Sequence, residues 1–333
     1  MNLSAIPEPL GLPIGAAGAV VTVGTFDGMH RGHQDVLLRL AARATETGRP
    51  SVVVTFDPHP LQVVNPAAAP PLLTTFREKL EIFVQTGVSY VAVVPFTPSL
   101  AGLSPEAFVD DVLRARFSMT ELLVGHDHGF GRGRMGDAEV LRSLGQKRGF
   151  AVTVLEPIAG SDGLAVSSTT IRRAVTEGDL ARAAEGLGRP YCLSGRVVGG
   201  DRRGRQMGYP TINLETPDAQ KLLPPDGVYA VRVQTPHGEY LGMLNLGARP
   251  TFGDKVRRIE AHLFDVSHDW YGAHVRIDLV QRLRDTRAFA DAATLAGQLA
   301  RDEAAARRAL NPSVRKPEST ERPGELPDGV RTP

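Results

Sequence analysis

His30 and His33 stand three residues apart in Val23-Gly24-Thr25-Phe26-Asp27-Gly28-Met29-His30-Arg31-Gly32-His33. Imidazole nitrogens donate hydrogen bonds in both protonation states, so the pair suits phosphate oxygens. The residues before them, Ala19 to Val23, are an apolar run that reads as a buried strand. After them, Val36, Leu37, Leu40, Ala41 and Ala44 fall on one helical face. Strand, glycine-rich turn and helix start together form an anion site, because free backbone N–H groups and the helix dipole both point at the ligand. Glycines at 24, 28 and 32 allow close approach of backbone to that ligand. The expectation is a site that holds phosphate.

Other stretches carry chemistry of their own. Thr55-Phe56-Asp57-Pro58-His59-Pro60 sets a histidine between two prolines that stiffen its loop. Ser167-Ser168-Thr169-x-Ile171-Arg172 places hydroxyls at a helix start with an arginine behind them, a combination that clamps polyphosphate as readily as it caps a helix. Glycines at 200, 204 and 208 precede Pro210-Thr211-Ile212-Asn213, whose hydroxyl and amide oxygen are hard donors suited to Mg²⁺ bound with phosphates. The glycines alone are explained equally well by barrel loops needing positive φ. Glu260 lies inside the alternating stretch Arg257-Arg258-Ile259-Glu260-Ala261-His262-Leu263.

These residues need elements to position them. Ala19–Val23, Ser51–Phe56, Tyr90–Pro95, Glu121–Gly125 and Ala151–Glu156 read as strands alternating with helices. Thr75-x-x-Glu78 is a capping box for a helix that Gly87 ends, Ser104-Pro105 opens a helix over Glu106–Phe117, and Asp137 caps one running through Lys147 to Gly149. Such alternation implies a parallel sheet with helices on both faces, and ligands beyond the carboxyl ends of its strands. After about Arg189 the alternating stretches Leu193–Val198, Val228–Gln234, Tyr240–Leu246, Ile259–Val266 and Val275–Leu283 follow without helices between them, so an antiparallel sheet or small barrel is expected. A last helix, roughly Ala288–Leu310, turns Leu295, Leu299 and Ala306 toward it. From Asn311 the chain is polar and proline-rich and reads as disordered, with four basic and four acidic residues from Val314 onward.

The 333 residues suit two domains. With 38 basic and 37 acidic residues there is no field to steer nucleic acid or an anionic membrane, and neither is expected as a partner. One cysteine, Cys192, excludes an internal disulfide and reads as a core filler. No stretch resembles a secretion signal or a membrane span, so a cytoplasmic location is expected. Oligomeric state cannot be read from one chain.

Taken together, the motifs resemble those of the prokaryotic bifunctional riboflavin kinase/FAD synthetase family, in the family's order, from about Val20 to Asp302. Gly24 to His33 resembles the signature of nucleotidyltransferases that transfer AMP from ATP with release of pyrophosphate. The resemblance implies an α/β N-terminal domain with a parallel, nucleotidyltransferase-like Rossmann sheet (1–186) and a C-terminal antiparallel β-barrel with a terminal helix (187–310), followed by the tail 311–333. It implies phosphorylation of riboflavin to FMN by ATP, then adenylylation of FMN to FAD, with Mg²⁺ as cofactor and riboflavin, ATP, FMN, FAD and pyrophosphate as the small molecules handled. By resemblance, His30 and His33 are catalytic in adenylyl transfer, and Gly24, Phe26, Asp27, Gly28, His59, Asp127, Phe130, Ser167, Ser168, Thr169 and Arg172 bind ATP or FMN. In the kinase half, Gly200, Gly204, Arg205, Gly208, Pro210, Thr211 and Asn213 bind the ATP phosphates, Thr211 and Asn213 hold Mg²⁺, and Glu260 is the catalytic base. Two departures from the family pattern are His128, where an aromatic is usual, and Ile212, where alanine is usual. The competing readings are a single adenylyltransferase with a retired second domain, and a flavin- or nucleotide-sensing regulator.

Overall fold

The structure is a computed structural model that describes residues 18–125, 129, 131, 135–161, 163–200, 204, 208–215, 220–247 and 257–311. Its first half is a five-stranded parallel sheet in the order β3-β2-β1-β4-β5, built from β1 (Ala19–Val23), β2 (Ser51–Asp57), β3 (Tyr90–Pro95), β4 (Met119–Gly125) and β5 (Ala151–Leu155). β1 is central and every residue of it is buried, which explains why it reads as a continuous apolar run and not as an alternation. Val21 and Val23 join one apolar cluster and Val20 joins another, so both faces of the sheet are covered. From β1 the chain winds first to β2 and β3, then crosses to β4 on the other side. That makes the carboxyl end of β1 the switch point where such sheets bind ligands.

The helices of this half are α1 (Arg31–Thr47), α2 (Phe76–Phe83), α3 over 105–117 with a π-helical middle at Phe108–Arg114, and α4 (Ala138–Arg148). The caps stand where the sequence puts them: Thr75 and Glu78 form a capping box, Ser104 accepts from Ala107 N, and Asp137 accepts from Glu139 N and Val140 N. α2 is shorter than expected. It stops at Phe83, four residues before Gly87, where the Thr86 hydroxyl takes the Phe83 carbonyl at 2.7 Å and the chain goes into turns. Two further helices, α5 (Ser168–Glu177) and α6 (Leu180–Leu187), lead to the second half.

That half is a closed antiparallel barrel in the order β10-β7-β6-β11-β8-β9. Its strands are β6 (Tyr191–Val198), β7 (Ile212–Glu215), β8 (Gly227–Thr235), β9 (Gly238–Gly247), β10 (Arg258–Leu263) and β11 (His274–Arg284). The short β7 is not among the strands expected from alternation, because four residues give too little pattern to count. The last helix, α7 (Ala292–Leu310), lies on the outside of the barrel. Leu299 and Ala306 do meet the barrel there, but Leu295 is half-buried and outside that apolar cluster. The helix also docks through a polar group, Asp302 accepting from the Arg284 guanidinium of β11 at 2.6 Å while Gln298, one turn earlier on the helix, donates to the same carboxylate at 2.7 Å. Residues 312–333 lie outside the described residues.

The halves are joined by a buried ion pair. Lys221 Nζ lies 2.6 Å from Glu78 Oε2, with both side chains 2% exposed. Lys221 also donates to Leu73 O, and Glu78 accepts from Ser194 N and Oγ on β6. Around this pair, Leu73 and the apolar faces of α5 and α6 share one cluster with the barrel interior. Removing one partner of a buried pair leaves the other charge stranded, at a cost of about 3–5 kcal/mol. Lys221→Met is therefore expected to lower unfolding free energy by that order in denaturant titration. A loss too small to resolve would show that the pair does not tie the halves.

Candidate functional site

β1 ends at Val23, and the chain then reverses through Phe26, Gly28 and Met29, all with positive φ. Two of these are not glycine, so the turn is held by its surroundings and not by residue preference. A Cβ on Gly28 would lie 2.7 Å from Leu73 Cδ1, which restricts this position to glycine on steric as well as dihedral grounds. The buried Asp27 carboxylate accepts from Leu73 N at 3.0 Å, Thr74 N at 3.0 Å and Thr74 Oγ1 at 3.2 Å, and pairs with Arg172 Nη2 at 2.6 Å. The carbonyls of Gly28 and Met29 are taken by Arg189, and Met29 O also by Gln34.

The turn delivers His30 to the N-cap of α1, where its Nδ1 accepts from His33 N. The two imidazoles stack with centroids 3.6 Å apart, and Phe26 meets His33 edge-on at 5.1 Å. Burial, then the neighbouring His30 and then Lys79, push His33 well below the ordinary imidazole value of 6.5. His33 is therefore neutral near pH 7, and its Nδ1 is sealed from solvent without a partner among the described residues. Lys79, on α2, was not anticipated from the sequence. Its Nζ donates to Thr25 O at 3.2 Å, Thr55 Oγ1 at 3.3 Å and Phe56 O at 3.3 Å.

His59 caps a short helix, Pro60–Val64, its Nδ1 accepting from Leu61 N at 3.2 Å. Burial again is the main cause holding its imidazole below 6.5. Ser167 is the N-cap of α5 and forms a capping box with Thr170, and Ser168 Oγ donates to Asp27 O at 2.9 Å. The serines thus carry structural bonds, and Arg172 spends two donors on Asp27 and Pro71 O. The described candidates gather all the same: Gly24, Phe26, Asp27, His30, His33, His59, Ser167, Ser168, Thr169 and Arg172 line one cavity of about 840 Å³, with apolar walls from Phe56, Phe96, Leu100 and Ile158. Gly28 shapes the turn without lining it. Asp127, His128 and Phe130 lie outside the described residues.

In the barrel a second polar group forms. On β10 Ile259, Ala261 and Leu263 point into the core, so Glu260 and His262 face outward. The ladder sets Glu260 opposite Asn213 of β7 on one side and Asn245 of β9 on the other. Gly200 packs so tightly here that a Cβ would fall 2.0 Å from Asn213 Nδ2. A Cβ on Gly204 would fall 2.2 Å from Tyr209 O, and Gly208 has φ +80. Pro210 and Thr211 are exposed beside this row, with Pro210 O accepting from Nδ1 of His262 at 2.7 Å. Ile212 points the other way, into the barrel core, where its bulk is accommodated. Arg205 lies outside the described residues.

Fold and sites fit a two-part transferase of nucleotide substrates, an α/β half with stacked imidazoles at a helix start joined to a small barrel carrying a carboxylate between two asparagines. Residues 14–170 match the FAD synthetase family and residues 187–310 the riboflavin kinase family. The bifunctional riboflavin kinase/FMN adenylyltransferase of Escherichia coli (strain K12) is 38% identical over 307 residues, 92% of this chain and 95% of that protein. Its counterpart in Pseudomonas fluorescens is 38% identical over 300 residues, 90% of this chain and 95% of that protein. The chain belongs to the bifunctional riboflavin kinase/FMN adenylyltransferase family. A solved structure named a macrolide-efflux protein from Streptococcus pneumoniae is also similar, with TM-score 0.80 and 31% identity over 90% of this chain and 96% of that one. In the present chain no helix among the described residues is long and apolar enough to cross a membrane.

His33, His59 and His274 all sit below their ordinary 6.5, chiefly through burial. The unfolded chain takes up these protons first, so this contribution to stability is complete above about 6.5 and is lost as pH falls toward the folded values. Equilibrium denaturation from about pH 7.5 to 5 is expected to show a steady loss of stability. A flat profile would mean that these imidazoles protonate freely in the folded protein.

Proposed function

We propose that the two sites work in sequence on one flavin, the barrel phosphorylating riboflavin and the α/β half adenylylating the product. The observation that carries this reading is the separation of two differently equipped sites: two stacked imidazoles at a helix start in one half, and a carboxylate flanked by two asparagines in the other. The division is 1–186 for adenylyl transfer and 187–310 for the kinase.

In the barrel, Glu260 accepts the proton of the ribityl 5′-hydroxyl as that oxygen attacks the γ-phosphorus of ATP, giving FMN and ADP. A carboxylate suffices, because in a loose transition state it orients the hydroxyl and takes the proton late. The glycines at 200, 204 and 208, with Arg205 and Pro210, wrap the phosphates. Thr211 and Asn213 supply the hard oxygens that fit Mg²⁺, which when bound neutralises phosphate charge. In the α/β half, a phosphate oxygen of FMN attacks the α-phosphorus of a second ATP and pyrophosphate leaves. His30 and His33 donate to the phosphates and to the charge gathering on the leaving group, a role in which fixed donors count for more than a nucleophile. His59, Thr169 and the start of α5 border the same cavity, and the family resemblance assigns Asp127 and Phe130 to ATP or FMN binding. The reaction is assigned to the cytoplasm, with small molecules as partners and neither nucleic acid nor membrane among them.

Incubation with riboflavin, ATP and Mg²⁺ is expected to accumulate FAD on chromatography. Glu260→Ala should abolish FMN formation while leaving conversion of supplied FMN to FAD, and His30→Ala should do the reverse, each by roughly 10²-fold or more. A folded variant of either kind that lost both steps equally would overturn the assignment of separate sites.

A further inference from the structure

Glu78 and Lys79 are neighbours on α2 and both are buried, yet they serve different halves of the molecule. Glu78 turns to the barrel, as described above. Lys79 turns to the sheet, where its three donors are used by Thr25 O, Thr55 Oγ1 and Phe56 O. Thr25 roots the loop that carries His30 and His33. Thr55 and Phe56 close the strand that leads to His59. One ammonium thus spans the carboxyl ends of two adjacent parallel strands, β1 and β2, on the side of β1 away from β4. All three acceptors are neutral, and among the described residues Lys79 has no carboxylate within ion-pair distance. A cation buried in this way is unusual, since desolvation opposes it and normally demands a partner.

We propose that Lys79 is a positioning residue for adenylyl transfer, its ammonium fixing the two histidine-bearing loops against each other and setting a positive charge behind the polyphosphate site. The inference rests on the adenylyltransferase reading of this half. Burial lowers the affinity of Lys79 for its proton, and Asp27 and Asp57 act in the opposite sense. The groups about His33 are His30 on its own loop and Lys79 from α2, and both oppose its protonation. His59 from the neighbouring loop feels Asp27, Arg172 and Lys79. Lys79 ties the loop after β1 to the end of β2, the strand that leads to His59, as Arg172 ties that loop to α5. Loosening it frees two loops at once, and displacement of a reacting group by about 1 Å costs up to roughly 10²-fold in rate.

The test uses the full chain with ATP and Mg²⁺, comparing wild type, Lys79→Met and Lys79→Arg. Lys79→Met is expected to lower kcat for FAD formation from FMN by roughly 10- to 100-fold while leaving riboflavin phosphorylation unchanged. In the same variant the ring resonances of His33 should titrate at higher pH by NMR, because the cation opposing its proton has gone. Lys79→Arg keeps the charge, so His33 should titrate as in wild type and part of the kcat should return. Should Lys79→Met fail to fold, Lys79→Gln takes its place under the same criteria. FAD formation at the wild-type rate, or a loss accompanied by an unmoved His33 titration, overturns the proposal. Wild type that makes no FAD at all would instead overturn the reading of this half.

Discussion

The buried carboxylate of Asp27 is the constraint on which the first site depends. A carboxylate out of water is costly unless its lone pairs are filled, and here two backbone N–H groups, a hydroxyl and a guanidinium fill them. Those bonds do more than satisfy a charge. They pin the turn after β1 to the segment Leu73–Thr74, and through Arg172 they pin it to the first turns of α5. Two helix starts, those of α1 and α5, are thereby brought to face one cavity. The strained dihedrals at Phe26 and Met29 persist because the backbone on either side is held in this way.

The same segment carries the connection to the barrel. Leu73 gives its N–H to Asp27 and its carbonyl to Lys221, and Leu72 exchanges backbone bonds with Gln220 and Leu222. Lys221 in turn meets Glu78, whose other oxygen reaches Ser194. A second tie runs through Arg189, which precedes the first barrel strand and holds the carbonyls of Gly28 and Met29. The turn after β1 is therefore shaped from outside its own half. Each site has its own chemistry, but the geometry of the α/β site draws on groups that belong to the barrel junction.

Much of this was legible in the sequence, and the reasons for the rest are physical. The central strand is recognisable because both of its faces are buried. The caps of α2, α3 and α4 depend on local bonds between a side chain and the next turn, which sequence spacing reports directly. The cluster of His30, His33 and His59 was legible as a set of motifs at strand ends. Lys79, Arg189 and Gln34 were not, because a single long polar side chain on an amphipathic helix or in a linker looks like any solvated one. Their roles arise from tertiary contacts 5 to 161 residues apart in the chain, for which periodicity has no signal. The serines at 167 and 168 show the opposite case: residue type suggested ligand contact as well as capping, and the structure uses both in local and interloop bonds. Strand β7 was missed by length, although its Asn213 was singled out for its chemistry.

Two polyphosphate sites are proposed in one chain, one at the carboxyl end of a parallel sheet and one on the outer face of a barrel. Crystals of the full chain soaked with Mg²⁺ and a non-hydrolysable ATP analogue test this most directly. Two nucleotides per chain are expected, one with phosphates at the start of α1 beside His30 and His33, the other against Thr211 and Asn213 beside Glu260. Density for a single nucleotide, with the second location closed by side chains that cannot move aside, would contradict it.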